Sequence, residues 1–126
     1  MRVLFVCVEN SCRSQIAEAF ARMHGAGVDA HSAGSKPSGK VNEKAIASMR
    51  EIGYDLSTHR SKGLDEIPPG PFDVVVTMGC GDACPWVPAT RREDWAIPDP
   101  KEMDPDGFRE VRFEIGRRVD ALLSSR

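Results

Sequence analysis

The start of the chain constrains the possible folds most strongly, because an apolar strand pattern leads through a short polar loop into a helical pattern. Residues 3–7 are continuously apolar, with β-branched and aromatic side chains, and predict a buried parallel strand over 2–7. Small and apolar residues at Ile16, Ala17 and Phe20 then predict a helix over 15–24. Loop amides and the unpaired N–H groups of a helix start converge in such a connection, which favours an oxyanion site.

The loop and its two flanks carry the residue types of a nucleophile beneath a bound oxyanion. Arg13 presents a planar fork that holds two oxyanion oxygens, and the same positive field favours the thiolate form of Cys7 near neutral pH. Ser14 is placed to donate a hydrogen bond to that sulfur, and Asn10 tolerates the positive φ that such a loop requires. A thiolate here is a nucleophile for a phosphorus or arsenic centre. The predicted oxyanion-binding residues are Val8, Glu9, Asn10, Ser11, Cys12, Arg13 and Ser14.

Beyond this start the chain alternates strand and helix patterns. Strands are predicted at 28–32 and 72–78, with a short last strand at 95–97. Helices are predicted at 41–52 and 108–123, and residues 33–39 are predicted as loop by composition. This alternation predicts an α/β fold with a parallel sheet and right-handed crossovers, in which ligands bind at the carboxyl ends of the strands.

Length and composition fit one domain spanning residues 1–126. The chain is 40% hydrophobic and 29% charged, as a globular protein should be. A formal net charge of -2 gives no basic surface for nucleic acid or for an anionic membrane. The apolar run at 3–8 is too short for a membrane span or a signal peptide, so we expect a cytoplasmic protein, and we expect a monomer.

The pattern Cys7-(five residues)-Arg13-Ser14 after an N-terminal strand resembles the signature of the low-molecular-weight protein tyrosine phosphatase superfamily, which includes arsenate reductases of the same fold. The resemblance covers nearly the whole chain and implies a small flavodoxin-like fold, with a four-stranded parallel sheet, helices on both faces and no cofactor. The other matching segments are 32–34, 55–61, 73–78, and Trp95 shortly before Asp99-Pro100.

A second pair of cysteines, Cys80 and Cys84, helps to decide whether the chain is a reductase or a phosphatase. The pair follows the 72–78 strand, so parallel topology places it on the same edge of the sheet as Cys7. Reduction of As(V) to As(III) needs two electrons, which two thiols supply by forming a disulfide. The extra cysteines therefore favour arsenate reduction over phosphate-ester hydrolysis.

The resemblance implies a thiol relay for arsenic detoxification. Cys7 attacks arsenate, Cys80 attacks the Cys7 adduct, and Cys84 then forms a disulfide with Cys80 that thioredoxin reduces. Thioredoxin-coupled members have a longer spacer between the last two cysteines, so a low-molecular-weight thiol or a glutaredoxin-like or mycoredoxin-like protein is an alternative donor. Phosphate and sulfate are the expected competing oxyanions.

Three further positions follow from the resemblance. Asp99 is the candidate general acid, since a carboxylic acid near a bound oxyanion protonates the leaving group. Lys101 follows where phosphatases often have tyrosine, which argues against phosphotyrosine as substrate. Some relatives hold a monovalent cation near Asn10, Glu18 and Ser32, and the Lys62 ammonium is expected to replace it here.

Other interpretations of the same residues stay open at this point. Cys7 and Cys12 also fit buried packing, Cys12 also fits a reversible partner for Cys7, and Asp99 also fits a turn cap. The four cysteines lack the two-residue spacing typical of zinc sites, so no metal is predicted. The alternative functions are a phosphatase acting on phosphotyrosine or small phosphate esters, and a redox-regulated binding protein. Glu9, beside the loop, is expected to face solvent.

Overall fold

The computed structural model describes residues 1–79 and 87–124. In these two segments one sheet contains four parallel strands, which lie in the order β2-β1-β3-β4. The strands are β1 (Arg2–Cys7), β2 (Asp29–Gly34), β3 (Phe72–Thr77) and β4 (Ala89–Asp94). Cys7 pairs with Gly34 and Val6 with Thr77, so the carboxyl ends of all these strands share one edge. This is the edge on which the sequence places the site.

In the described segments, three α-helices follow the strands. They are α1 (Arg13–His24), α2 (Glu43–Arg50) and α3 (Pro105–Ser124). The same segments contain short 3-10 turns at Leu56–Thr58, Leu64–Glu66 and Pro100–Glu102. None of the helices in the described part of the chain is long and apolar enough to cross a bilayer.

The core has one cluster on each face of the sheet. All three α-helices contribute to the larger cluster, which includes Phe5 of β1, Ile16 of α1 and Ile115 of α3. Helices α1 and α3 approach closely at Gly116, where a Cβ would come within 2.9 Å of the Phe20 ring. The smaller cluster is packed by residues of the 64–67 turn and contains Leu4, Val6, Ala33, Phe72 and Val75. The predicted α/β fold with a four-stranded parallel sheet is therefore confirmed. Among the described residues, the three α-helices pack on one face of the sheet and the 64–67 turn packs on the other.

Two predicted boundaries are wrong. The last strand does not lie at 95–97. It is β4, which pairs with β3 and ends at Asp94, one residue before Trp95. β4 is an edge strand whose charged side chains are largely exposed, so it lacks the apolar alternation by which strands are recognised. Residues 33–34, predicted as loop, belong to β2, where Ala33 pairs with Val6.

Candidate active site

The loop between β1 and α1 turns its carbonyl groups away from the site. The loop encloses a small concavity, here called the cup, which is lined by residues 7–9, 11–13 and 99. Each carbonyl from Cys7 to Cys12 accepts a hydrogen bond from outside the cup. The donors, in order, are Ser35 N, Lys36 N, Ser38 N with Ser61 Oγ, Gln15 Nε2, Asn42 N and Ile16 N. In a trans peptide the C=O and the following N–H point in opposite directions. The N–H groups of residues 8–13 therefore face inward, as an oxyanion site requires.

Asn10 holds this conformation. Its φ is 52°, the only positive φ among the non-glycine residues that the structure describes, which confirms the prediction for this position. The side chain is fully buried, and its Oδ1 accepts hydrogen bonds from Gln15 Nε2 (2.9 Å) and from Lys62 N (3.0 Å). Its Nδ2 donates to Ser14 Oγ at 2.8 Å. The turn and the start of α1 are thus fixed to each other.

Cys7 lies at the floor of the cup, at the end of β1. Its Sγ is 2.8 Å from Ser14 Oγ. Because Ser14 Oγ already accepts a hydrogen bond from Asn10, its own proton is free to be donated to the sulfur. The predicted contact between Ser14 and Cys7 is therefore present.

Arg13 forms the wall of the cup opposite the loop. It is buried, its Nη1 donates to the carbonyl of Ile97 at 3.0 Å, and its Nη2 lies 3.8 Å from Asp99 Oδ2. Gly79, directly after β3, makes room for it: its φ is 81°, and a Cβ there would collide with the guanidinium. The guanidinium is therefore oriented by groups from two separate segments of the chain, at Gly79 and at 97–99.

Asp99 serves both as turn cap and as a neighbour of the cup. Its Oδ1 accepts from Lys101 N at 3.1 Å and so begins the 3-10 turn Pro100–Glu102, while its Oδ2 faces Arg13. Its side chain is 45% exposed, so it is in contact with solvent. Asp99 lines a small cavity together with Cys7, Val8, Glu9, Ser11, Cys12 and Arg13.

Glu9 has a partner, although the sequence predicts that it faces solvent. Lys101 Nζ donates to Glu9 Oε2 at 2.9 Å, and both side chains are only partly exposed. The hydrogen bond to Glu9 and the negative charge of that residue raise the pKa of Lys101 above its ordinary value. The loop is thereby tied to the segment that carries Asp99.

Cys12 is a protonated thiol. It is buried, and this burial raises its pKa to about 12, against a smaller opposing effect of the hydrogen bond from Ser11. A thiol in this state is neither a nucleophile nor a metal ligand at neutral pH. Its environment supports the packing interpretation.

Beneath the loop lies a polar network that the sequence does not reveal. His59 Nδ1 is 2.9 Å from Gln15 Oε1, which only accepts hydrogen bonds, so Nδ1 carries the proton. His59 Nε2 then accepts from the Tyr54 hydroxyl at 2.6 Å. Gln15 Nε2 also donates to the Arg60 carbonyl. Only tertiary folding brings residues 54–60 beneath α1.

Glu18 on α1 is a second buried polar centre below the site. Ser32 Oγ donates to it at 2.6 Å, and Arg22 Nε at 2.7 Å. Lys62 Nζ lies 3.6 Å from Glu18 Oε1 and 3.4 Å from Ser32 Oγ. The expected ammonium is thus placed beside Glu18 and Ser32. Among residues 1–79 and 87–124, no three His, Cys, Asp or Glu side chains are grouped as a metal site requires.

The structure brings together most of the predicted site residues. Cys7, Arg13 and Asp99 converge on one cavity with the loop residues, and Asn10 and Ser14 support it from below. Cys80 and Cys84 lie outside the described residues. β3 and Gly79, which lead toward them, end beside Arg13.

Comparison with known protein families agrees with this geometry. The family of low molecular weight phosphotyrosine protein phosphatases matches residues 2–125. The chain belongs to this family. Within this phosphatase family, the chain is 40% identical over 126 residues to the glutaredoxin arsenate reductase of Synechocystis sp., covering 98% of this chain and 96% of that protein.

Solved structures of members of the phosphatase family share the whole fold. An arsenate reductase in the phosphate binding state superposes with a TM-score of 0.89 at 40% identity, over 98% of this chain and 97% of that one. A thioredoxin-dependent arsenate reductase of Corynebacterium glutamicum gives a TM-score of 0.77 at 34% identity, over 98% of this chain and 60% of that one. The family resemblance seen in the sequence is confirmed.

Proposed function

We propose that this protein reduces arsenate to arsenite. The observation that carries the proposal is the cup itself, in which Cys7 Sγ lies 2.8 Å from Ser14 Oγ beneath a loop whose carbonyls all turn outward. The relatives that match this chain over nearly its whole length are named arsenate reductases. Their names favour arsenate reduction over ester hydrolysis on the same loop.

In the first step the Cys7 thiolate attacks the arsenic atom. Arsenate binds with its oxygens on the inward N–H groups of residues 8–13 and on the Arg13 fork. The sulfur forms a bond to arsenic while one arsenic–oxygen bond breaks, and Asp99 donates the proton with which the departing hydroxide leaves as water. The product is a thioester of As(V) on Cys7.

In the second step the two electrons are transferred. The thiolate of Cys80 attacks the Cys7 sulfur, a sulfur–sulfur bond forms, and the electron pair of the sulfur–arsenic bond stays on arsenic, which leaves as arsenite. Cys84 then attacks Cys80, so the Cys7 thiolate is regenerated and a disulfide between Cys80 and Cys84 remains. A dithiol donor reduces that disulfide and closes the cycle.

The electron donor is proposed to be thioredoxin or another thiol donor such as a glutaredoxin. One relative is named a glutaredoxin arsenate reductase and another is thioredoxin-dependent, so both donors occur among the relatives. Free thiols in the relay require a reducing compartment, which supports a cytoplasmic location. The loop, Arg13 and Asp99 come from a single chain, which supports action as a monomer.

The test is arsenate-dependent NADPH oxidation by the purified protein. The reaction is run once with thioredoxin and its reductase and once with glutaredoxin, glutathione and glutathione reductase, alongside hydrolysis of p-nitrophenyl phosphate. Cys7→Ser, Cys80→Ser and Cys84→Ser should each abolish arsenate-dependent oxidation, and any ester hydrolysis that the protein shows should depend on Cys7 alone. Brisk ester hydrolysis without arsenate reduction by either donor system would show a phosphatase instead.

A further inference from the structure

The ion pair of Glu9 and Lys101 lies where the anion cup opens to solvent. Glu9 lines the small cavity with Cys7 and Arg13, and it also lines a wider groove outside, together with Lys101. The 2.9 Å contact between the two side chains joins residues that are 92 positions apart in the sequence. The pair therefore forms a bridge between the inner cavity and the outer groove.

The position of this bridge is fixed at both ends. On one side, the Glu9 carbonyl is held by Ser38 N and Ser61 Oγ. On the other, the backbone N–H of Lys101 donates to Asp99 Oδ1, and the turn is closed by the hydrogen bond from Met103 N to the Pro100 carbonyl. Lys101 keeps its charge at neutral pH, because the hydrogen bond to Glu9 and the charge of that residue hold the pKa of Lys101 above its ordinary value.

In-line attack determines what must pass this bridge. Cys7 attacks from the floor of the cup, so the leaving oxygen points toward the mouth, where Asp99 stands. In arsenate that oxygen carries only a proton. In a phosphate ester it carries the organic group, which must then extend past Asp99, whose Oδ1 is bonded to Lys101 N, toward the outer groove that Glu9 and Lys101 line.

The bridge also offers an organic group no favourable surface. Two paired charges present neither an aromatic face nor an apolar wall, so an aryl group placed there would partly desolvate them without compensation. Glu9 and Ser11 line both the inner cavity and the outer groove, so the two spaces adjoin at this pair. Lys101 additionally neutralises the Glu9 carboxylate, which by itself would repel every oxyanion equally.

We infer that the Glu9–Lys101 ion pair determines specificity by restricting the cup to inorganic tetrahedral oxyanions and excluding organic esters. This inference rests on the proposed function, since it concerns the same cup. It assigns Lys101 a role in substrate selection and not in the chemistry of reduction.

The test measures anion occupancy of the cup without any turnover. Fully reduced protein is alkylated with iodoacetamide, the Cys7-containing peptide is quantified by mass spectrometry, and the half-protecting concentrations of phosphate, methylphosphonate and phenylphosphonate are determined. The two phosphonates lack the same oxygen and carry a small methyl or a large phenyl group, and their intrinsic difference in acidity cancels when their ratio is compared between wild type and variants at one pH. Their ratio of half-protecting concentrations isolates exclusion at the mouth and cancels the general repulsion by Glu9.

In the wild type, methylphosphonate should protect Cys7 at a concentration at least about tenfold lower than phenylphosphonate does. Lys101→Ala should narrow this ratio by about fivefold or more. Lys101→Arg keeps the charge and the reach and should retain the wild-type ratio. Lys40→Ala is the matched control, because Lys40 lines the same outer groove but pairs with Glu43, and it should also retain that ratio.

A ratio in Lys101→Ala that stays within about twofold of the wild type would overturn the inference. Failure of phosphate to protect Cys7 in the wild type would overturn the proposed oxyanion site and the inference with it. Protection with the expected ratios in a protein that reduces no arsenate would leave the inference standing and reject only the proposed reaction.

Discussion

Asn10 shows how one side chain determines both the shape of the anion loop and the environment of the nucleophile. Its positive φ turns the loop so that amides face inward, and its amide group connects Ser14, Gln15 and the backbone of Lys62. Left-handed backbone costs an ordinary L-residue roughly 1–2 kcal/mol, a cost that asparagine reduces and glycine avoids. Substitution of Asn10 by glycine or alanine can therefore separate the effect of its backbone conformation from that of its side-chain hydrogen bonds.

Asn10→Gly and Asn10→Ala should separate these two contributions. Both variants lose the three side-chain hydrogen bonds, but only alanine is strained at φ 52°. We expect Asn10→Ala to be less stable than Asn10→Gly by about 1 kcal/mol in urea unfolding, and both to be less stable than the wild type. Both should lower the alkylation rate of Cys7, because Ser14 loses the donor that orients it. Equal stability of the two variants would show that the backbone there is unstrained.

At the scale of elements, the site is assembled where strand ends meet. Gly34 at the end of β2 and Gly79 after β3 lack a Cβ at points where one would collide with the site. At Gly34 the Cβ would lie 2.6 Å from the Val8 carbonyl, and at Gly79 it would strike the Arg13 guanidinium. The sheet edge thus brings β2 against the anion loop and the end of β3 against its arginine.

Gly79→Ala should impair the reaction more than it destabilises the fold. The new methyl group would push the Arg13 guanidinium away from Ile97 and Asp99, so we expect kcat/KM for arsenate to fall on the order of 100-fold. Gly39→Ala is the matched control, because its φ of 83° imposes the same strain with nothing within 4 Å of the added Cβ. Both variants should lose similar free energy of unfolding, and only the first should lose activity. Equal kcat/KM values for Gly79→Ala and Gly39→Ala would show that a methyl group at position 79 does not displace the Arg13 guanidinium.

What the sequence predicts at this scale depends on whether the signal is local. The strand β1, the anion loop and helix α1 are contiguous, so Cys7, Asn10 and Arg13 are recognised from spacing alone. Strand β4 is missed because an exposed edge strand carries charges where a pattern would need apolar residues. The contacts of His59 and Lys101 with the site join positions 44 and 92 residues apart, for which one sequence contains no signal.

For the molecule as a whole, pH acts through polar groups that are buried beneath the sheet edge. Burial lowers the pKa of His59 below 6.5 despite the nearby Glu18 charge, so the folded protein holds this imidazole neutral. Burial alone would raise the pKa of Glu18, but the Ser32 hydrogen bond and the charges of Lys62 and Arg22 outweigh it and hold that pKa below 4.5. Both groups make the folded state bind fewer protons than the unfolded chain.

His59 should account for the first loss of stability on acidification. Below about pH 6.5, His59 is protonated in the unfolded chain, whereas in the folded protein it is protonated only at a lower pH. The free energy of unfolding therefore declines by up to about 1.4 kcal/mol for each pH unit of acidification. In His59→Gln this decline should be absent between pH 6.5 and the onset of carboxylate titration. Urea unfolding at half-unit pH steps measures it, and an identical decline in the variant would assign it to other groups.

Glu18 should account for the second loss of stability. Its burial should distinguish it from an exposed carboxylate that also has two cationic partners. Glu18→Gln leaves Lys62 and Arg22 without their buried counter-charge, so we expect a loss on the order of 3 kcal/mol at pH 7. That difference should shrink as pH falls from 4.5 through the folded pKa of Glu18, because the wild-type carboxyl is then protonated as well.

Glu51→Gln is the control for Glu18→Gln. Hydrogen bonds from Arg109 and Arg112 hold the pKa of Glu51 at about 2, but that ion pair is exposed to water. Its smaller destabilisation should disappear in 1 M NaCl, whereas that of Glu18→Gln should persist, since salt screens exposed pairs much more than buried ones. Equal salt sensitivity of the two variants would mean that Glu18 is hydrated in solution.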